Sequence, residues 1–145
     1  MELSSFDEAI ENFNKFLKMQ PNHSKAHFGM GNALMMKGQL DLAMSEYRVS
    51  GKLDPTFALP YMNMANIQMQ TKNISAAIES YKSALKIKPG MSAIHLSLGM
   101  IYHQFKNDAP QALIYLKEAL RLNPNQPGAA RIRSLIVELE NKQPA

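Results

Sequence analysis

Four histidines, His23, His27, His95 and His103, are the side chains best suited to chemistry near neutral pH. An imidazole can move a proton or bind zinc, but a zinc site needs several ligands at matched helical or loop spacings. His95 and His103 stand eight residues apart, with no carboxylate at a neighbouring ligand spacing. The carboxylates Asp7, Glu8, Glu11 and Glu118 are scattered singly, as on solvated helix faces. No cysteine is present, so there is no thiolate nucleophile, thiolate zinc site or disulfide. The chain carries no phosphate-binding glycine loop, dinucleotide turn or HExxH pair. Two Asn-x-Ser sequons, at Asn22 and Asn73, fall where helix boundaries are expected. These readings predict no catalytic, metal or cofactor site, and hence a protein that is not an enzyme.

The composition is globular: 145 residues, 46% hydrophobic and 19% charged. A chain of this size can bury about 70% of its unfolded surface. The net charge is +4, concentrated in Lys72, Lys82, Lys86, Lys88 and Lys106, with only Glu79 among them. A nucleic-acid groove needs basic residues clustered on one face with interleaved aromatics; this stretch reads instead as a solvated lysine face and argues against nucleic acid as a partner. No apolar run approaches the ~20 residues of a membrane span. The acidic opening MELSSFDEAIENF is unlike a signal peptide. A soluble chain, cytoplasmic by default and with no membrane insertion, is expected.

The elements that would position any site are repeated. Pro21, Pro55 and Pro89 are 34 residues apart, and Pro124 follows 35 later. The extra residue is expected in FKNDAPQ, between helices, where insertion is cheap. Alanine precedes each proline by twelve residues (Ala9, Ala43, Ala77, Ala112), and Phe13, Tyr47, Tyr81 or Leu116 precedes it by eight. Such pairs share a helix face. Ahead of them recur Met30-Gly31, Met64-Ala65 and Leu98-Gly99, where the small second residue lets another helix approach. Helices are predicted over about 5–19, 24–36, 40–53, 58–70, 74–87, 92–105, 109–122 and 127–140. Ser24 and Ser92 are expected as N-caps, Ser5 with Glu8 as a capping box, and Pro60, Pro110 and Pro127 in first helical turns.

This 34-residue helix-turn-helix with a closing proline resembles the tetratricopeptide repeat (TPR) family over residues 5–141. The resemblance implies an all-α, right-handed superhelix, an α-solenoid of antiparallel A and B helices. A single domain 1–145 is expected: a half repeat 1–23 with helix B only, repeats 24–57, 58–91 and 92–126, and a capping helix with tail, 127–145. His27 and His95 take a slot that Tyr61 fills in between, a slot for a packed ring. Phe6, Ile10, Phe13 and Leu17 form an apolar stripe that lacks an A helix to cover it.

The resemblance also implies a protein or peptide partner, bound on the A-helix side. One face of these helices carries Lys25, Phe28, Asn32 and Met35, then Met62, Asn63, Asn66 and Met69, then Leu96, Met100 and His103. Methionine suits pliable apolar grooves, and asparagine can both donate to and accept from a peptide backbone. A clamp for chaperone C-termini is not expected. Asn32 and Asn63 match its asparagines, but Phe28, Ala93 and Ser97 stand where its cations would be. Two other roles follow from the same features: self-assembly through the stripe of helix 5–19, or service as a substrate-recruiting arm of a larger enzyme or secretion complex.

Overall fold

The computed structural model describes residues 2–144, with side chains from Ser5 onward. Its described residues form eight helices. They are α1 (Glu2–Met19), α2 (Ser24–Met36), α3 (Leu40–Leu53), α4 (Leu59–Gln70), α5 (Ile74–Ile87), α6 (Ser92–Gln104), α7 (Ala109–Leu122) and α8 (Ala129–Asn141). None is long and apolar enough to cross a membrane. The chain divides into two compact units, Met1–Ile87 and Lys88–Ala145, at a boundary between repeats. In the first, α1 packs on α2, α2 on α3, α3 on α4 and α4 on α5. In the second, α7 packs between α6 and α8.

Helices α3, α5 and α7 bury the positions their repeat pattern marks. Ala43, Ala77 and Ala112 are fully buried. Tyr47, Tyr81 and Leu116 follow four residues later and are equally enclosed. The small A-helix residues make room for them: a Cβ added at Gly31 would sit 2.6 Å from the Tyr47 ring, and one at Gly99 2.7 Å from Leu116. Ala65 fills the same slot in the middle repeat and is itself buried.

Helix ends follow local chemistry. Gly38 (φ 76°), Lys72 (φ 60°) and Asn107 (φ 49°) turn the chain left-handed after α2, α4 and α6, in the polar stretches KGQ (37–39), TKN (71–73) and KND (106–108). The Gln39 and Asn73 N–H groups donate five residues back, to Leu34 and Gln68. Asp108 reaches six back, to Tyr102, so the extra residue of the 35-residue unit lies in this turn. Pro60 and Pro110 occupy first turns as expected.

The predicted caps need correction. Helix α1 starts at Glu2, which places Ser5 inside it rather than at its N-cap. His23, not Ser24, caps α2: its Nδ1 accepts from the Ala26 N–H at 3.0 Å. Met91 is the N-cap residue of α6. The two serines instead reach the end of the following B helix. Ser24 Oγ donates to the Ser50 carbonyl (2.9 Å) and lies 3.1 Å from its hydroxyl; Ser92 Oγ donates to the Ala119 carbonyl (3.0 Å). Ser50, where other repeats carry Ala84 and Ala119, is thus a buried hydroxyl with partners. Pro127 precedes its helix, because Gly128 (φ 78°) is the N-cap of α8.

Helix α8 buries Ala129, Ile132, Ile136 and Leu139 on the second unit's core. Counting from the closing proline, Arg133 takes the position of Met30, Met64 and Leu98. Those three are buried, whereas Arg133 is exposed and donates to the Pro124 carbonyl at 2.8 Å.

Candidate functional site

The predicted A-helix face lies partly in each unit. In the first, α2 and α4 bring Asn32 and Asn63 together: Asn63 Nδ2 donates to Asn32 Oδ1 at 2.9 Å. The Tyr47 hydroxyl from α3 joins them, donating to Asn32 Oδ1 (2.7 Å) and accepting from Asn63 Nδ2 (3.3 Å). It also lies 3.7 Å from the Met35 sulfur. One repeat on, the Tyr81 hydroxyl donates to Asn66 Oδ1 at 2.5 Å. The asparagines expected to serve a peptide are therefore partly engaged already. Each is held by the phenol of a B-helix tyrosine, which orients the remaining amide atoms. Burial pushes the Tyr47 phenol up, and the Asn63 amide on its oxygen opposes this.

Phe28 packs against Phe57 (ring centroids 4.9 Å, edge-on) and Tyr47 (5.7 Å). Phe28, Met35, Met62 and Met69 are half-buried, so each keeps some surface for a partner, and Asn66 is exposed. Lys25 is exposed and lines a separate cleft beside α1. It also helps hold the Asp54 carboxyl below the usual range, after the larger effect of Thr56 hydrogen bonds.

In the second unit, Leu96 and Met100 are half-buried and pack against the cluster that holds Ile132 and Ile136 of α8. A cleft of about 430 Å³ remains there, lined by Leu96, Met100, Pro127, Arg131, Ile132 and Leu135. His103, on α6, is half-buried and does not line this cleft. Lys142 hydrogen-bonds Glu138 and holds its carboxyl down, with a lesser pull from His103. The sequence reading missed Phe57, Arg131 and Leu135. Their available signal was the repeat register, which carries the face past α6 into α8 and, at Phe57, into the segment just ahead of α4.

The shared ring slot is more polar than packing alone implies. In both copies Nε2 meets the carbonyl of the closing proline, His27 to Pro21 and His95 to Pro89, each at 2.8 Å. His27 Nδ1 meets Glu46 at 2.6 Å. The His95 ring lies 5.9 Å from that of Tyr115, and its Nδ1 is buried without a hydrogen-bond partner. No group of three or more His, Asp or Glu side chains among the described residues is arranged to hold a metal.

The stripe on α1 also differs from expectation. Ile10, Phe13 and Leu17 pack on the core through α2, and the exposed large residues are Phe16 and Met19. A cleft of about 560 Å³ opens beside them, lined by Ala9, Asn12, Phe13 and Phe16 of α1 and by His23, Lys25 and Ala26.

Tetratricopeptide repeat models match residues 1–56, 59–91 and 92–126, most of the chain. The chain belongs to the tetratricopeptide repeat family. Solved structures agree on the fold. MamA matches with a TM-score of 0.79 and 22% identity, over 95% of this chain and 78% of that one. PilF of Pseudomonas aeruginosa gives 0.80 and 25%, over 96% and 63%. The Cut9–Hcn1 hetero-tetramer of the APC/C gives 0.71 and 24%, over 96% and 27%. A comparison with curated proteins finds no match. These TPR repeats make the chain a protein–protein interaction scaffold.

Proposed function

We propose that this TPR domain binds an extended peptide or a helix of a partner protein across the A-helix face of α2 and α4. The observation that carries the reading is the pair of tyrosine-anchored amide sites, Tyr47–Asn32–Asn63 and Tyr81–Asn66. They stand beside the half-buried apolar residues Phe28, Met35, Met62 and Met69. Amides held in place before binding lose little freedom on binding, which favours affinity. Asn32 Nδ2, Asn63 Oδ1 and Asn66 Nδ2 then serve the partner's main chain, and the methionines adapt to its side chains. The second unit offers its own candidate surface, with Leu96 and Met100 as apolar contacts, His103 as a polar one and Arg131 as a cation beside the cleft.

The test is a double variant, Asn66→Ala with Met69→Glu, titrated with a partner fragment first captured by the parent chain. Loss of binding with unchanged far-UV circular dichroism supports the face; unchanged binding removes it. The recruiting-arm reading has only the larger size of some relatives behind it. Assembly of copies through α1 has the 560 Å³ cleft behind it.

A further inference from the structure

The cleft beside α1 has three filled counterparts in the same chain, and they define what fits it. Ala9, Phe13 and Phe16 correspond by repeat register to Ala43, Tyr47 and Ser50, to Ala77, Tyr81 and Ala84, and to Ala112, Leu116 and Ala119. All nine counterparts are at most 3% exposed, because an A helix of the same repeat lies on them. Phe16 is 37% exposed, and Ala9 and Phe13 are only half-buried.

We infer that the cleft is a second docking site, separate from the A-helix face, for an amphipathic helix of a partner protein that lies on α1 as the A helices lie on the three counterparts. The counterparts specify its chemistry. It carries Gly or Ala at its centre, opposite Phe13, as Gly31 lies opposite Tyr47 and Gly99 opposite Leu116. A large apolar residue comes immediately before, as Met30 and Leu98 do. Its first turn is small, because Phe16 replaces the serine and alanines found elsewhere at that position.

A second copy of this chain fits poorly. Its A-type helix lacking a B partner among the described residues is α8, and α8 places Arg133 where Met30, Met64 and Leu98 are buried. Docking α8 would bury that guanidinium against the apolar stripe, at a desolvation cost.

The probe is a synthetic peptide of residues 24–37, the chain's own A helix with Gly31 at its centre, titrated into the full chain. Short helices are marginal alone, so weak binding is expected and chemical-shift perturbation is the suitable readout. We expect shifts clustered on Ala9, Asn12 and Phe16. Affinity should fall at least about tenfold in Phe16→Glu, in Asn12→Arg and with a Gly31→Leu peptide. It should not change in the Asn66→Ala, Met69→Glu variant, which separates this site from the A-helix face. The inference is overturned by a peptide that does not bind the parent chain, or that binds Phe16→Glu equally well. Concentration-dependent self-association of the chain abolished by Phe16→Glu would also overturn it, making a second copy the occupant.

Discussion

Phe13 and Tyr47 hold the same place in successive repeats, yet their surroundings are opposite. Tyr47 is fully enclosed, its hydroxyl fixed between Asn32 and Asn63. Phe13 lacks the hydroxyl, and its ring tip meets Gly29, the residue at the Asn63 position. One side of Phe13 opens on the 560 Å³ cleft. The two replacements go together: without a phenol there is nothing for an asparagine to bond, and a glycine lets the ring close in. Polar locking and full burial thus define the inner junction, and apolar contact with spare room defines the outer one.

The comparison is broken most directly by truncation. Tyr47→Ala should cost about 3–5 kcal/mol in denaturant unfolding, the range for a buried aromatic. Phe13→Ala should cost distinctly less, because part of its ring is already hydrated; equal losses would mean that the cleft is closed in solution. The glycines sharpen the contrast. A methyl at either position would lie under 3 Å from a ring. Gly31→Ala meets an enclosed Tyr47 and should cost about 1–3 kcal/mol of overpacking. Gly29→Ala should come out near neutral. Phe13 can tilt into the cleft, and alanine returns up to about 1 kcal/mol of helix propensity.

Removing only the hydroxyl is gentler. Tyr47→Phe should cost about 1 kcal/mol at neutral pH and change the alkaline limb. The folded phenol is harder to ionise than the unfolded one. Its stabilisation is therefore complete below the ordinary tyrosine pKa near 10 and is lost as pH rises through the raised folded value. Thermal melts between pH 9 and 11 should fall more steeply for the parent than for Tyr47→Phe. The smallest effect belongs to Phe16→Glu, which should shift stability by about 0.5 kcal/mol or less; a large loss would show that Phe16 supports the fold itself.

Much of the fold was legible because the determining information is local and repeated. The prolines and the apolar period place α2 and α3 to the residue, and the polar breaks locate the left-handed turns. The caps were not legible. Ser24 is as good a capping residue as any, but the buried Ser50 competes for its hydroxyl, a partner 26 residues away. The site was legible as a face and not as a mechanism. Helical spacing puts Asn32, Asn63 and Asn66 on one face, but it cannot say that two B-helix phenols already hold the Asn32 and Asn66 oxygens and the Asn63 amide nitrogen. Nor does it show that α8 packs beside Leu96 and Met100.

Arg133 bears on how such a chain grows. Arrays of this kind lengthen by copying a helix pair, and a new B helix laid on α8 would have to cover this guanidinium. Inserting a repeat between existing ones leaves Arg133 at the outer face and keeps every new joint apolar. Adding a B helix after α8 instead requires Arg133 to become leucine or methionine first. A single codon therefore sets which edits extend this scaffold and which stall it.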